Sequence, residues 1–323
     1  MSLSTHHLLR TAIRRLATVL GLGAALFAAL PAAAQPLTYV IPFPAGGESD
    51  VTARLQEQTL KAVSGRDVVI QYKVGAGGAT AWASLQSMPA DGSTVVGINL
   101  PHIFLQPMQK DVGYKTDDIV AVHVFQLTPD AIVVPADSPF KTLQDLIDAA
   151  KKTPGAITMA GSGTHTGPHL SAVTFNKLAG IKTTYIPFSG TATSVAAMLG
   201  KQVSAAMTFT TAAIQQGDKV RMLAVAVDKR LPDQPNVPTF KELGYDMLSG
   251  VFRGVAVPKA TPEAERKRLS DLFAKVNADP TFRKKMGDAG YVLVDVPYEK
   301  MSAFMSTQRK AAEEAAREAG MLK

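Results

Sequence analysis

Short apolar runs recur along this chain, each closed by glycine, proline or a polar pair, and stretches with apolar residues every three or four positions separate them. Leu37–Ile41 is the first run, followed by 67–74, Thr94–Leu100, 131–135, 156–160, 183–187, 203–209, 221–227 and 254–258. Their length and their Val, Ile and Thr content predict strands. A helical period over 142–152, 169–178 and 262–278 predicts helices among them. Strands alternating with helices build βαβ units, so the expected class is α/β with mainly parallel sheets.

In such sheets binding sites form at the carboxyl ends of strands, where loops lead into helix N-termini. The first such end is Pro42-Phe43-Pro44-Ala45-Gly46-Gly47-Glu48-Ser49-Asp50, a double-glycine turn before a helix expected to begin near Val51. Unpaired N–H groups at the positive end of a helix dipole suit a carboxylate or another anion. Glycines also follow later strands, at Gly75, Gly77 and Gly78, at Gly161, Gly163 and Gly167, and at Gly190. The 161–167 loop adds Ser162, Thr164, His165 and Thr166 as donors, with Pro168 suited to a first helical turn. Any one of these loops alone reads as ordinary turn chemistry; several in one chain favour binding.

Ser49 or Asp50 is expected to cap the first helix, with Arg54 pairing with Asp50 four residues earlier. Glu48, an acid inside a proposed anion loop, either faces solvent or recognises a donor group on the ligand. His102 lies just beyond a strand end and is a pocket candidate. Trp82 is expected in the core.

Composition adds an address. Residues 1–15 carry Arg10, Arg14 and Arg15 with no acid, 16–30 are apolar, and Ala32-Ala33-Ala34 supplies an A-x-A site. This predicts a signal peptide over 1–34, sent through the general secretory route to the periplasm. Its removal takes three arginines out of a formal charge of +7. No later segment has the run of about 18 apolar residues that a membrane span needs, so the mature chain is expected to be soluble. Zero cysteines exclude disulfides, a thiolate nucleophile, thiolate zinc and a lipidated N-terminal cysteine.

Chemistry motifs are sparse. Gly75-Ala76-Gly77-Gly78 lacks the dinucleotide spacing, and the chain has no phosphate-binding G-x-x-x-x-G-K-[ST], no G-x-S-x-G and no H-E-x-x-H. No cofactor, nucleotide or metal is therefore expected. An enzyme reading would rest on His165, His169 and Glu48 as a hydrolytic or metal site. Arg266-Lys267-Arg268 and Arg283-Lys284-Lys285 are interleaved with acids and lack aromatic neighbours, so they read as solvated helix faces and give no case for nucleic acid.

Nine motifs in order carry a family resemblance. The leader is followed by the 42–50 turn, Gly75-Ala76-Gly77-Gly78, Pro89-Ala90-Asp91-Gly92, Asp137-Ser138-Pro139-Phe140-Lys141-Thr142, Gly161-Ser162-Gly163, Pro187-Phe188-Ser189-Gly190, Pro235 to Thr239, and Gly254-Val255-Ala256-Val257-Pro258. Together they resemble the Bug-type extracytoplasmic solute receptors of tripartite tricarboxylate transporters. The resemblance implies a type II periplasmic-binding-protein fold, two α/β lobes joined by crossing strands with a carboxylate in the cleft. On that template the crossings are 131–135 and 252–258, lobe 1 is 36–133 plus 253–323, and lobe 2 is 134–252. The ligand contacts implied are Phe43, Ala45, Gly46, Gly47, Glu48, Ser49 and Asp50 in lobe 1, and Ser162, Gly163, Thr164, His165, Phe188, Ser189, Gly190 and Thr191 in lobe 2. The implied partners are a small carboxylate (a di- or tricarboxylate, an aromatic acid or an amino acid) and membrane permease subunits. A sensor kinase is the alternative partner, and the receptor is expected to be a monomer without catalytic activity. The chain departs from the family pattern at Glu48, Tyr72, Ser189 and Ser204, positions that bear on the far end of the ligand.

Overall fold

The computed structural model describes residues 35–322, so the expected signal peptide lies outside the described residues. The strands are β1 (Leu37–Ile41), β2 (Val68–Tyr72), β3 (Thr94–Leu100), β4 (Val120–Pro135), β5 (Thr158–Gly161), β6 (Thr184–Pro187), β7 (Ala205–Phe209), β8 (Val220–Val225), β9 (Gly250–Val257) and β10 (Val292–Val296). They form two sheets that share β4. In the first, β2-β1-β3 are parallel and β9, β4 and β10 complete the sheet; in the second, β6-β5-β7 are parallel and β4 pairs with β7 and β8. The parallel arrangement holds only within β2-β1-β3 and β6-β5-β7, and the expectation of mainly parallel sheets is corrected: the pairings made by β4 or β9 are antiparallel. The reason is that these two strands cross between the halves of the molecule instead of returning through a helix.

Side-chain alternation fixes the layers. Along β1, Leu37, Tyr39 and Ile41 point into a core with Leu60, Phe125, Phe273 and Phe282, while Val40 points to the opposite core with Trp82, Ile98 and Phe104. Along β4, Ile132 and Val134 face Leu146, Phe175 and Phe240, whereas Ala131 and Val133 face Val195, Met198 and Phe209. Each sheet is therefore covered on both faces, the arrangement that parallel strands require. Trp82 is buried as expected, its indole N–H donating to the Gly97 carbonyl at 2.9 Å.

Helix starts and stops follow local chemistry. Thr142 caps Leu143–Lys152 in a capping box with Asp145. Thr166 accepts from the His169 amide at the start of Gly167–Ala179, with Pro168 in the first turn and Gly180 in the left-handed conformation at its end. Half of the side chains in the two basic clusters are paired within their own helices, Lys267 with Glu263 at 2.8 Å, Arg268 with Glu265 at 2.7 Å and Lys284 with Asp288 at 2.7 Å, while the half-buried Arg266 donates to the Thr261 and Lys259 carbonyls.

Candidate functional site

The turn after β1 is built differently from expectation. Gly47 is extended (φ −84°, ψ 171°) and is itself the N-cap, so the helix begins at Glu48, and neither Ser49 nor Asp50 caps it. Three residues earlier than expected, the first turn now carries Glu48 and Ser49 into the interior. Asp50 turns back on its own loop. One of its oxygens accepts from the Gly46 amide at 2.7 Å, and the other accepts from the Tyr72 hydroxyl at 2.7 Å and pairs with Arg54 at 2.9 Å. Asp50 and the Gly46 amide are thus occupied in holding the turn. Gly46, at φ +76°, supplies the left-handed conformation the turn needs.

Phe43, Glu48, Ser49, His102, Ser162 and Thr191, together with Asn99, Phe209 and Arg253, enclose one small cavity. The strands bring them there: Phe43 follows β1, Asn99 lies near the end of β3, Ser162 follows β5 and Phe209 ends β7. Three helices begin on the same space, Glu48–Ser64 with Glu48 and Ser49, His102–Gln109 with His102, and Thr191–Leu199 with Thr191. Their first-turn N–H groups lack intrahelical partners, so positive dipole ends converge on one point. Two seams close around it. A Cβ on Gly190 would lie 2.8 Å from Pro44 Cδ, and one on Gly163 would lie 3.2 Å from Gly77 Cα. The free volume inside is about 10 Å³, room for at most one water. The turns on either side of the space are thus in close contact.

Of the remaining sequence candidates, Ala45, Gly46, Gly47, Gly163, Phe188, Ser189 and Gly190 lie in the turns around this cavity and Thr164 and His165 in the 161–167 loop, none of them among its lining residues. His165 and His169 are engaged with each other. The His165 amide donates to His169 Nδ1 at 3.1 Å, and the His169 ring lies 4.3 Å from Tyr185. Burial lowers the pKa of both, His169 to about 4. No cluster of three or more metal-ligating side chains occurs among the described residues.

Arg253, Asn99 and Phe209 escaped the sequence reading, and Arg253 matters most. It projects from β9, is 3% exposed, donates to Thr128 Oγ1 at 2.7 Å and stacks over the Phe209 ring at 4.6 Å. Its Nε has no hydrogen-bond partner. Glu48 Oε2 stands 3.8 Å from Arg253 Nη1 and has no hydrogen-bond partner, while Oε1 accepts from Thr211. Desolvation raises the Glu48 pKa despite the opposing effect of Arg253. A lone basic residue in an otherwise apolar strand was the available signal.

His102 is neutral. Its Nδ1 accepts from the Gly167 amide at 3.3 Å, and burial followed by the nearby Arg253 charge lowers its pKa to about 3. Depressed histidine pKa values stabilise the fold above about pH 6.5, and that contribution is lost as pH falls towards the folded value. His102 and His169 should each cost about 1.4 kcal/mol of stability per pH unit through this window. NMR titration checks it: neither ring should protonate between pH 5.5 and 8, and a midpoint near 6.5 would contradict the burial argument.

Two α/β halves joined by crossing strands, with a cavity between them that collects helix N-termini at strand ends, define the fold of type II periplasmic binding proteins. A family model described as "Tripartite tricarboxylate transporter family receptor" matches residues 52–322. The chain belongs to this family of solute-binding receptors and is of the Bug type. A Cupriavidus necator relative, "UPF0065 protein in gbd 5'region", is 31% identical over 290 residues, 87% of each chain. The solved periplasmic binding protein BugD is 28% identical with a TM-score of 0.83, covering 88% of this chain and 97% of that one. An R. palustris protein solved with adipate is 25% identical with a TM-score of 0.84, covering 90% and 99%. Among the described residues no helix is long and apolar enough to cross a membrane.

Proposed function

We propose that this chain is an exported periplasmic receptor that captures a small carboxylate between two closing lobes and presents it to a membrane permease, with no bond made or broken. The lobes are 36–133 plus 253–323 and 134–252. The observation that carries this reading is the meeting of three helix N-termini and the buried Arg253 guanidinium on one enclosed space. A carboxylate satisfies both, since amides at helix starts and a guanidinium fork are its strongest ordinary partners. The similar R. palustris protein solved with adipate is consistent with that ligand class. Because closure buries the ligand, the open and closed forms differ in the surface offered to a permease.

Ligand-stripped protein titrated with mono-, di- and tricarboxylates and their matched amides checks the proposal. At least one acid should raise Tm in proportion to the logarithm of its concentration, and its amide should not. Stabilisation by neutral sugars or amines, with none by any acid, would overturn it.

A further inference from the structure

The closed cavity has no room for a ligand carboxylate at Arg253, because Glu48 already occupies that side of the guanidinium. Glu48 and Arg253 are both almost completely buried, 3.8 Å apart, and each retains an atom without a hydrogen-bond partner, Oε2 on the acid and Nε on the base. The free space beside them is about 10 Å³. A ligand must therefore share Arg253 with Glu48 or displace it.

Charge decides what sharing requires. With Glu48 ionised, an arriving carboxylate would place two anions on one buried cation, and like charges that share a site are relieved when one of them takes a proton. We infer that Glu48 is an internal stand-in for the ligand's carboxylate, and that the acid binds with uptake of one proton, delivered from solvent to Glu48 before the cleft shuts. The balance is simple: ligand carboxylate plus Glu48 carboxylate plus one proton gives a ligand carboxylate on Arg253 beside a neutral Glu48 carboxyl. The inference rests on the carboxylate reading above.

Other groups facing this pair do not take the proton. Tyr291 beside Glu48 and Tyr39 beside Arg253 are already protonated, burial raising both. His102 also faces Arg253, but its buried ring favours the neutral form. Asp130, on β4 near Arg253, is the one competitor: burial pushes its pKa up to about 6, while Ser171 holds its carboxylate at 2.6 Å. Thr211 can donate to Glu48 in either state.

Calorimetry with succinate and adipate as probes, in two buffers of different ionisation enthalpy at pH 7, counts the proton directly. The wild type should take up close to one proton per ligand. Its Kd should weaken by up to tenfold per pH unit over the range between the pKa of Glu48 in the free protein and its higher value in the complex. Glu48→Gln should bind with no proton uptake and little pH dependence, and Asp130→Asn should keep both. Binding by the wild type without proton uptake, or uptake lost in Asp130→Asn but kept in Glu48→Gln, overturns the inference. The wild-type proton count stands even if a variant fails to fold. If neither these acids nor any other carboxylate binds, it is the carboxylate reading that fails.

Discussion

Arg253→Met lowers affinity for the captured acid by at least about 30-fold. The guanidinium lies on the cavity wall with no solvent to replace it, and losing one partner of a buried, hydrogen-bonded charge pair typically costs about 2–5 kcal/mol of binding. The same change strands Glu48. A buried carboxylate that loses its counter-charge destabilises a fold by about 3–5 kcal/mol, less whatever protonation recovers. These two effects separate in Arg253→Met combined with Glu48→Gln, which should recover most of the stability in a denaturant melt and none of the affinity by calorimetry. Affinity within tenfold of wild type in Arg253→Met would remove the guanidinium from the site.

Gly190→Val prevents closure. Gly190 is extended (φ 176°), so a side chain adds no backbone strain, and the space on its Cβ side is filled by Pro44, 2.8 Å from where that atom would lie. Residues 190 and 44 come from the two proposed lobes, so the clash acts on the closed form and spares the open one. A ligand gains only what closure adds to its contacts, and affinity should fall by more than tenfold. Small-angle scattering at saturating ligand should show the variant remaining extended while the wild type compacts. Equal compaction of both would mean that the 43–47 and 190–192 segments do not form a moving seam.

Much of this architecture is written in local pattern. Thr94–Leu100 has the same limits in sequence and structure because it is an apolar strand buried along its whole length and closed by Pro101. The glycine turn after β1 was visible for the same reason, an apolar strand ending in residues that only a turn accepts. The first half of β4 was not legible. His123, Gln126 and Thr128 are polar yet buried, and the partners of two of them come from far along the chain: His123 Nε2 lies 3.0 Å from Asp295 and its Nδ1 3.3 Å from Ser270, and Thr128 accepts from Arg253. Tertiary partners of that kind leave no mark on neighbouring residues. β10 and the helix Tyr298–Glu318 were missed as well, the strand being half-exposed and the helix burying only Met301, Ala312 and Ala316 fully.

The site divides in the same way. Phe43, Glu48, Ser49, Ser162 and Thr191 were candidates because they lie in glycine loops after strands that also carry the family resemblance, and His102 because it follows a strand; all six line the cavity. Arg253 and Asn99 lie inside strands, where charge and amide groups are read as irregularities. Glu48 illustrates the limit from the other side. Its oddness was plain in the sequence, but its partner, 205 positions away on β9, was not. Without Arg253 the acid suggests a donor group on the ligand; with it, the demand for positive charge is met inside the protein.

On the proposed function, a carboxylate sits on Arg253 and the helix starts at Glu48, His102 and Thr191 inside the closed cleft. A crystal structure with the acid that most raises Tm tests it most directly. The ligand carboxylate should lie within hydrogen-bond distance of the Arg253 guanidinium and of first-turn amides, with Glu48 moved off Arg253 or sharing it as a neutral carboxyl. An acid bound elsewhere, with Glu48 and Arg253 still 3.8 Å apart over an unfilled cavity, would contradict it.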